Sequence, residues 1–343
     1  MSAKSHNIVI TARAPGKIIL SGEHAVVYGK PALAVAVNRF VETTISQHLD
    51  HKIKFEFMHD KLSHALTLQE LQVLQTKIDK RYQDFIAGKC NIKNVIHNPL
   101  ELIQYAFIYL VENLSLTIKD GLKIQVQSTL PIGCGMGASA AVILSLMHAL
   151  VNYFGCSLVV DKYLHFGREI ENLQHGRSSG LDLFLSLHGG CYFFVDGNMS
   201  QRNLPNIPLV LVNTGKPQTS TGECVAAIAK YFQDSEITDD FTEVTTVMDL
   251  ALQQGNLPAI QECIRENHQL LKYIGVVPGR VAKFIADVEE LGSAAKISGA
   301  GAVSGTNAGV VLVVGEAAVV DIAKEYGYEI LPVQGELSGL KIL

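Results

Sequence analysis

The stretch Leu130–Val142 (L-P-I-G-C-G-M-G-A-S-A-A-V) sets Gly133, Gly135 and Gly137 at spacing two and follows them with Ala138, Ser139, Ala140 and Ala141. Glycine reaches positive φ freely and lets backbone approach a ligand with no Cβ in the way. The first turn of a helix starting there has unpaired N–H groups and the positive end of a dipole, which together favour an anion. The chemistry predicted is phosphate binding, since a bare turn needs fewer small residues. A Walker loop is excluded because no G-K-[ST] follows. A nucleophile elbow is excluded because Ala141 stands where G-x-S-x-G needs its last glycine. The dinucleotide fingerprint G-x-G-x-x-[GA] is formally met by Gly133, Gly135 and Ala138, with Asp161 as a ribose-binding acid, so an NAD(P)-linked oxidoreductase is the rival.

Two further clusters carry chemistry. Lys17, Glu23 and His24 fall within eight residues, bracketed by apolar strand segments and turn glycines. Charges in such a setting are desolvated and need partners, so Lys17 and Glu23 read either as an ion pair or as site residues. His24 reads as a hydrogen-bonded core histidine. Asp182 follows Ser178-Ser179-Gly180 and is flanked by Leu181, Leu183, Phe184 and Leu185. It is a candidate general base or hydroxyl-orienting group, with a helix cap as the plainer role. Glu171 lies near the end of the preceding helix and has no role from local pattern alone.

The elements that must position these groups follow from periodicity. Asn7–Ala14 predicts an opening strand punctuated by Pro15-Gly16, and Val41–Phe57 predicts a hairpin of two strands. Leu68–Phe85 and the segment begun by Asn98-Pro99 predict amphipathic helices, the second with cap and N1 proline. Lys123–Thr129 alternates as a half-buried strand before the glycine loop, which argues against a fully buried dinucleotide-binding strand. Asp161 also suits an N-cap. Cys191–Val195 predicts a strand, and Asp196–Pro208 is the most linker-like stretch, dividing the chain into 1–200 and 201–343. Beyond it come the strand Leu209–Asn213, helices at Cys224–Gln233, Asp239–Gln254, Pro258–Ile274 and Pro278–Leu291, a second glycine loop at Lys296–Gly305, and the strand Val310–Val314. The fold class is α+β in two parts.

The 343 residues are 48% hydrophobic and 18% charged, a globular balance with room for two domains. A net charge of −5 gives no footprint for nucleic acid, and no apolar run is long enough to predict a membrane span. The six cysteines are scattered without metal-ligand spacing and read as free thiols in a reducing cytoplasm.

Read together, separated motifs resemble a family. A-P-G-K-I-I-L-S-G-E-H-A-V-V-Y-G (14–29) resembles the first motif of the GHMP small-molecule kinases, most specifically that of the mevalonate kinases. P-I-G-C-G-M-G-A-S-A-A (131–141) resembles their second motif and K-I-S-G-A-G (296–301) their third. H-G-R-S-S-G-L-D (175–182) and the following H-G-G are similar to the mevalonate kinase pattern, with R-S-S where N-P-S is typical and Ala138 where the second motif has a serine. The resemblance implies that Pro131, Gly133, Gly135, Met136, Gly137, Ala138 and Ser139 hold the ATP phosphates. It implies Ser139 and Glu171 as Mg²⁺ ligands, Asp182 at the substrate hydroxyl, Lys17 in contact with Asp182, and Glu23 and His24 lining the site. The reaction implied moves the γ-phosphoryl of ATP to the primary hydroxyl of mevalonate. Phosphomevalonate, sugar and homoserine kinases of the superfamily are the alternatives, with a non-catalytic sensor of the same fold beyond them. The implied architecture has an N-terminal domain with a left-handed βαβ unit, a ferredoxin-like C-terminal domain, and the site in the cleft between them. A homodimer is compatible with it.

Overall fold

A computed structural model describes residues 8–58, 61–233, 235–315 and 319–343. Two long strands open the chain, β1 (Val9–Ser21) and β2 (Ala32–His48), joined through a 3-10 turn at Ala25–Tyr28. β3 (Ile53–Phe57), β4 (Leu62–Leu66), α1 (Leu68–Ile86) and α2 (Pro99–Asn113) follow. β5 (Gly121–Ser128) runs into the glycine loop and α3 (Ala138–Tyr153), then come α4 (Val160–His175) and α5 (Leu181–His188). β6 (Cys191–Val195) and β7 (Asn198–Arg202) close the first half. The second half holds β8 (Leu209–Asn213), α6 (Thr221–Ile228), α7 (Ser235–Gln254), α8 (Leu257–Tyr273) and α9 (Gly279–Glu290). It ends with β9 (Ala294–Ser298), β10 (Val310–Val314), α10 (Val319–Tyr326), β11 (Glu329–Leu331) and β12 (Lys341–Ile342).

The first sheet has the order β12-β1-β2-β5-β3-β4, with the β6–β7 hairpin attached to the start of β2. The second has the order β11-β8-β10-β9, so its strands are arranged 4-1-3-2, as in a ferredoxin-like unit. β10 is buried on both faces: Val310, Leu312 and Val314 join the large core shared with the first half, while Val311 and Val313 join a second core with Phe284 and Ile285 of α9. A strand apolar throughout has to be covered on both sides, and here the first of those cores includes Ile260, Cys263 and Ile264 of α8.

α3 is the centre of the first half. Its residues Ala140, Ile143, Leu144, Met147 and Leu150 are fully buried, and it lies against β1 and β2. A helix apolar all round can exist only inside a core. This fixes the glycine loop, which is α3's N-terminal lead. α2 begins as read: the Asn98 side chain accepts from the Glu101 N–H at 3.1 Å, and Pro99 needs no donor partner there.

Four local readings are corrected. β1 runs straight through Pro15-Gly16 with a register shift instead of stopping. A Cβ on Gly16 would fall 2.4 Å from the Leu130 side chain, so glycine lets the loop dock onto the strand. β2 and β3 are not a hairpin, because β5 lies between them, antiparallel to β2 and parallel to β3. The Leu49–Lys52 connection arches over Gly121, where a Cβ would stand 1.5 Å from Asp50 O, and only glycine fits. Asp161 is not a cap but the second residue of α4, whose N-cap is Val159. α3 also runs on to another helix, not to a strand parallel to β5, and the dinucleotide rival fails with that topology.

The linker-like stretch is partly sheet: β7 pairs with β6, and Arg202 binds Asp249 of α7 through both carboxylate oxygens at 2.7 and 2.8 Å. This bidentate pair fastens the hairpin to the second half. Asp249→Ala is expected to cost roughly 2–3 kcal/mol, discounted because Arg202 is part-exposed. Urea denaturation measures it, and a loss below about 0.5 kcal/mol would show that the pair does not hold the halves together.

Candidate active site

The loop between β5 and α3 holds three residues in the left-handed region, Gly133 (φ 73), Gly135 (φ 85) and Gly137 (φ 70). Gly137 is the N-cap of α3, which has no side-chain cap and no acidic residue in its first turn. The leading N–H groups of a long buried helix are thus open to an anion. A cleft of about 400 Å³ lies over them, lined by Ile132 through Ser139, Asp182, the segment from Lys216 to Thr221, and Ala300-Gly301. Phe57, Ile92, Ile96, Leu102 and Ile103 give it an apolar end. A larger groove of about 680 Å³ lies between β4, α1 and α2, but it holds none of the loop or its acids.

Lys17 is almost fully buried on β1. Its Nζ lies 3.2 Å from Asp182 Oδ1 and donates to Gly135 O at 3.0 Å, while its backbone N–H donates to Met136 O at 3.0 Å. One residue thus ties strand, glycine loop and acid together. Asp182 sits in the first turn of α5, whose dipole favours a negative charge there. Its Oδ2 faces Gly137, where a Cβ would stand 3.5 Å from it.

Glu171, in the last turns of α4, is buried, and burial followed by the nearby Asp182 charge pushes its carboxyl up to about 7. Ser178 donates to Glu171 Oε2 and accepts from Gly180 N–H at 3.0 Å. The R-S-S departure therefore supplies a hydroxyl that orients an acid. Ser139 Oγ is 3.3 Å from His175 Nε2, and burial keeps that imidazole neutral by lowering its pKa. Among the described residues no group of three or more His, Cys, Asp or Glu side chains could cage a metal. Glu171 is not among the residues that line the cleft, but a buried carboxylate held up by a like charge is a group that suits a hard cation taking its other ligands from phosphate and water.

Glu23 and His24 stand elsewhere. Glu23 is not paired with Lys17 but with Lys296 of β9, both fully buried. Burial pushes the carboxyl up and the ammonium down, and each charge pulls the other back. His24, at φ 63, places Nε2 3.1 Å from Ala300 O. Neither lines the cleft; together they join the first motif to the third. Pro131 also lies outside the lining, at the start of the loop. The third motif supports the second from behind: a Cβ on Gly135 would lie 2.7 Å from Ser298 O, and one on Gly299 would lie 2.9 Å from Gly135 Cα. Sequence reasoning gave no role to His175, Ser178, Lys216 or Lys296. Three had a signal: the first two lie inside the H-G-R-S-S-G-L-D run, and Lys296 opens the K-I-S-G-A-G motif.

A glycine loop at a buried helix, a lysine-held aspartate and a buried glutamate are groups of the kind that phosphoryl transfer uses. The chain matches the GHMP kinases N terminal domain over residues 101–190 and the GHMP kinases C terminal model over 250–305. It belongs to the GHMP kinases and is an ATP-dependent enzyme of that family. Its relatives include the mevalonate kinase of Pyrococcus horikoshii, 28% identical over 303 residues, covering 85% of this chain and 86% of that protein. The mevalonate kinase of Candida albicans is 28% identical over 380 residues, covering 92% and 85%. The solved mevalonate kinase of Methanococcus jannaschii shares the fold, with a TM-score of 0.77 at 23% identity over 97% of this chain and 99% of that one.

Two predictions test this geometry. Gly135→Ala, strained at its φ and pressed on Ser298 O, is expected to weaken ADP binding roughly tenfold by calorimetry; unchanged affinity would show that the loop does not hold the nucleotide. Burial lowers the pKa of His24 from 6.5 to about 4. Between those values the unfolded chain binds more protons, so stability is complete above about pH 6.5 and falls toward pH 4, by up to about 3 kcal/mol from this residue. His24→Asn, which tolerates the left-handed backbone, should flatten that acid limb in urea denaturation across the same range, and an unaltered limb would contradict the assignment.

Proposed function

We propose that the protein is a mevalonate kinase, moving the γ-phosphoryl of ATP to the primary hydroxyl of mevalonate to give 5-phosphomevalonate. The observation that carries this reading is the Lys17–Asp182 pair beside Gly137, at the junction of glycine loop and helix. The name shared by the relatives supplies the substrate.

Phosphoryl transfer needs alignment and charge balance more than covalent help. The loop N–H groups cradle phosphate oxygens, and the apolar end of the cleft takes the base. Lys17 occupies Oδ1 of Asp182, so Oδ2 is the oxygen left to receive or orient the hydroxyl proton. The fixed Lys17–Gly135 contact keeps that oxygen in register with the loop. Ser139 and Glu171 would hold Mg²⁺, which would supply charge neutralisation on the phosphates. His175 and Ser178 hold those two ligand groups, while Glu23 and His24 act from behind, through Lys296 and Ala300. The site lies where segments of 1–200 meet segments of 201–343, which we take as the two working units. All six cysteines are free thiols, in keeping with a cytoplasmic enzyme.

An ADP-release assay against mevalonate, phosphomevalonate, galactose and homoserine tests the substrate. Mevalonate is expected to be used best, and preference for another alcohol would reassign it. Asp182→Asn is expected to cut kcat by about 10²-fold or more, in the range of lost acid–base help, with ADP affinity retained. Turnover equal to wild type would remove Asp182 from the reaction.

A further inference from the structure

Several basic side chains lie in or beside the cleft, and all but one of those described already have a partner. Lys17 is taken by Asp182 and Gly135 O. Lys93 is 3.1 Å from Glu223, and His97 is 3.5 Å from Glu101. His175 Nε2 lies 3.3 Å from Ser139 Oγ. Lys216 lines the same cleft and has no carboxylate partner among the described residues. It follows β8, so it belongs to the second half of the molecule, yet its alkyl chain lies along Gly133: a Cβ there would stand 3.3 Å from Lys216 Cε. Its charge also reaches Cys134, the next residue of the loop. An exposed cation beside open backbone N–H groups, in a cleft that Asp182 also lines, is where the surplus negative charge of a polyphosphate needs one.

We propose that Lys216 is a phosphate-binding residue delivered from the second half of the molecule, pairing with nucleotide phosphate oxygens held by Gly133–Ser139. The segment from Lys216 to Thr221 thereby forms a wall of the phosphate site. This rests on the nucleotide reading above.

Calorimetry with ADP and ATP, and ligand-observed NMR with adenosine, compare wild type, Lys216→Ala and Lys216→Arg. Lys216→Ala is expected to bind ADP and ATP roughly tenfold more weakly, with adenosine binding and melting temperature unchanged because the side chain is exposed. Lys216→Arg, which keeps the charge, should restore most of the affinity. ADP and ATP affinities within about twofold of wild type, or an equal loss for adenosine, would overturn the role of Lys216. Failure of the wild-type protein itself to bind ADP would instead sink the kinase reading, and this inference with it.

Discussion

The active site depends on one buried ammonium. Lys17 has its charge out of water, and such a group is tolerated only with partners close at hand. Its partners are Gly135 O, from the middle of the glycine loop, and Asp182, from the first turn of α5. Satisfying one cation therefore sets the distance between the glycine loop and Asp182. The strand carrying Lys17 is itself fixed by Gly16, which lets Leu130 and Met136 lie directly on β1. Neither the loop nor Asp182 can drift without leaving a buried charge short of a partner.

The loop is held from the other side by the second half of the molecule. Gly299 meets Gly135 backbone to backbone, Val310 N–H donates to Cys134 O at 3.2 Å, and a Cβ on Gly309 would fall 2.5 Å from that same oxygen. Glycines in the third motif thus serve close backbone contact with the second. The Glu23–Lys296 pair adds a second buried link, between the turn after β1 and the strand before Gly299. A dry ion pair contributes little net stability over an apolar substitute, but once present it penalises any arrangement that separates its members. The pair specifies how the halves meet.

How far the sequence disclosed this depends on the range of each interaction. Local rules were legible: the Asn98-Pro99 start, the glycine loop leading a buried helix, and the alternation of β5 are set by neighbours a few residues apart. The interposition of β5 between β2 and β3 was not, because Gly121 and Asp50 meet only after the chain has passed through two helices. Motif spacing put Lys17 and Glu23 side by side, and their adjacency suggested a mutual pair. The structure gives each a distant partner, at sequence separations of 165 and 273 residues (182 − 17 and 296 − 23). The β6–β7 hairpin was hidden because β7 is polar and half-exposed, so composition alone made it resemble a linker. Lys216 carried no local sign of its place beside Gly133.

The two acids of the site show why residue type alone does not assign a role. Asp182 has a cation on one oxygen and a helix N-terminus behind it. Glu171 is enclosed, has Ser178 on one oxygen, and is pushed up to about 7 by burial and by Asp182 itself. The burial of Glu171 and the like charge of Asp182 act in one direction, while the Ser178 hydroxyl, Lys17 and Arg168 act against them. Two carboxyl groups of one site are thus set apart by their neighbours and not by their type.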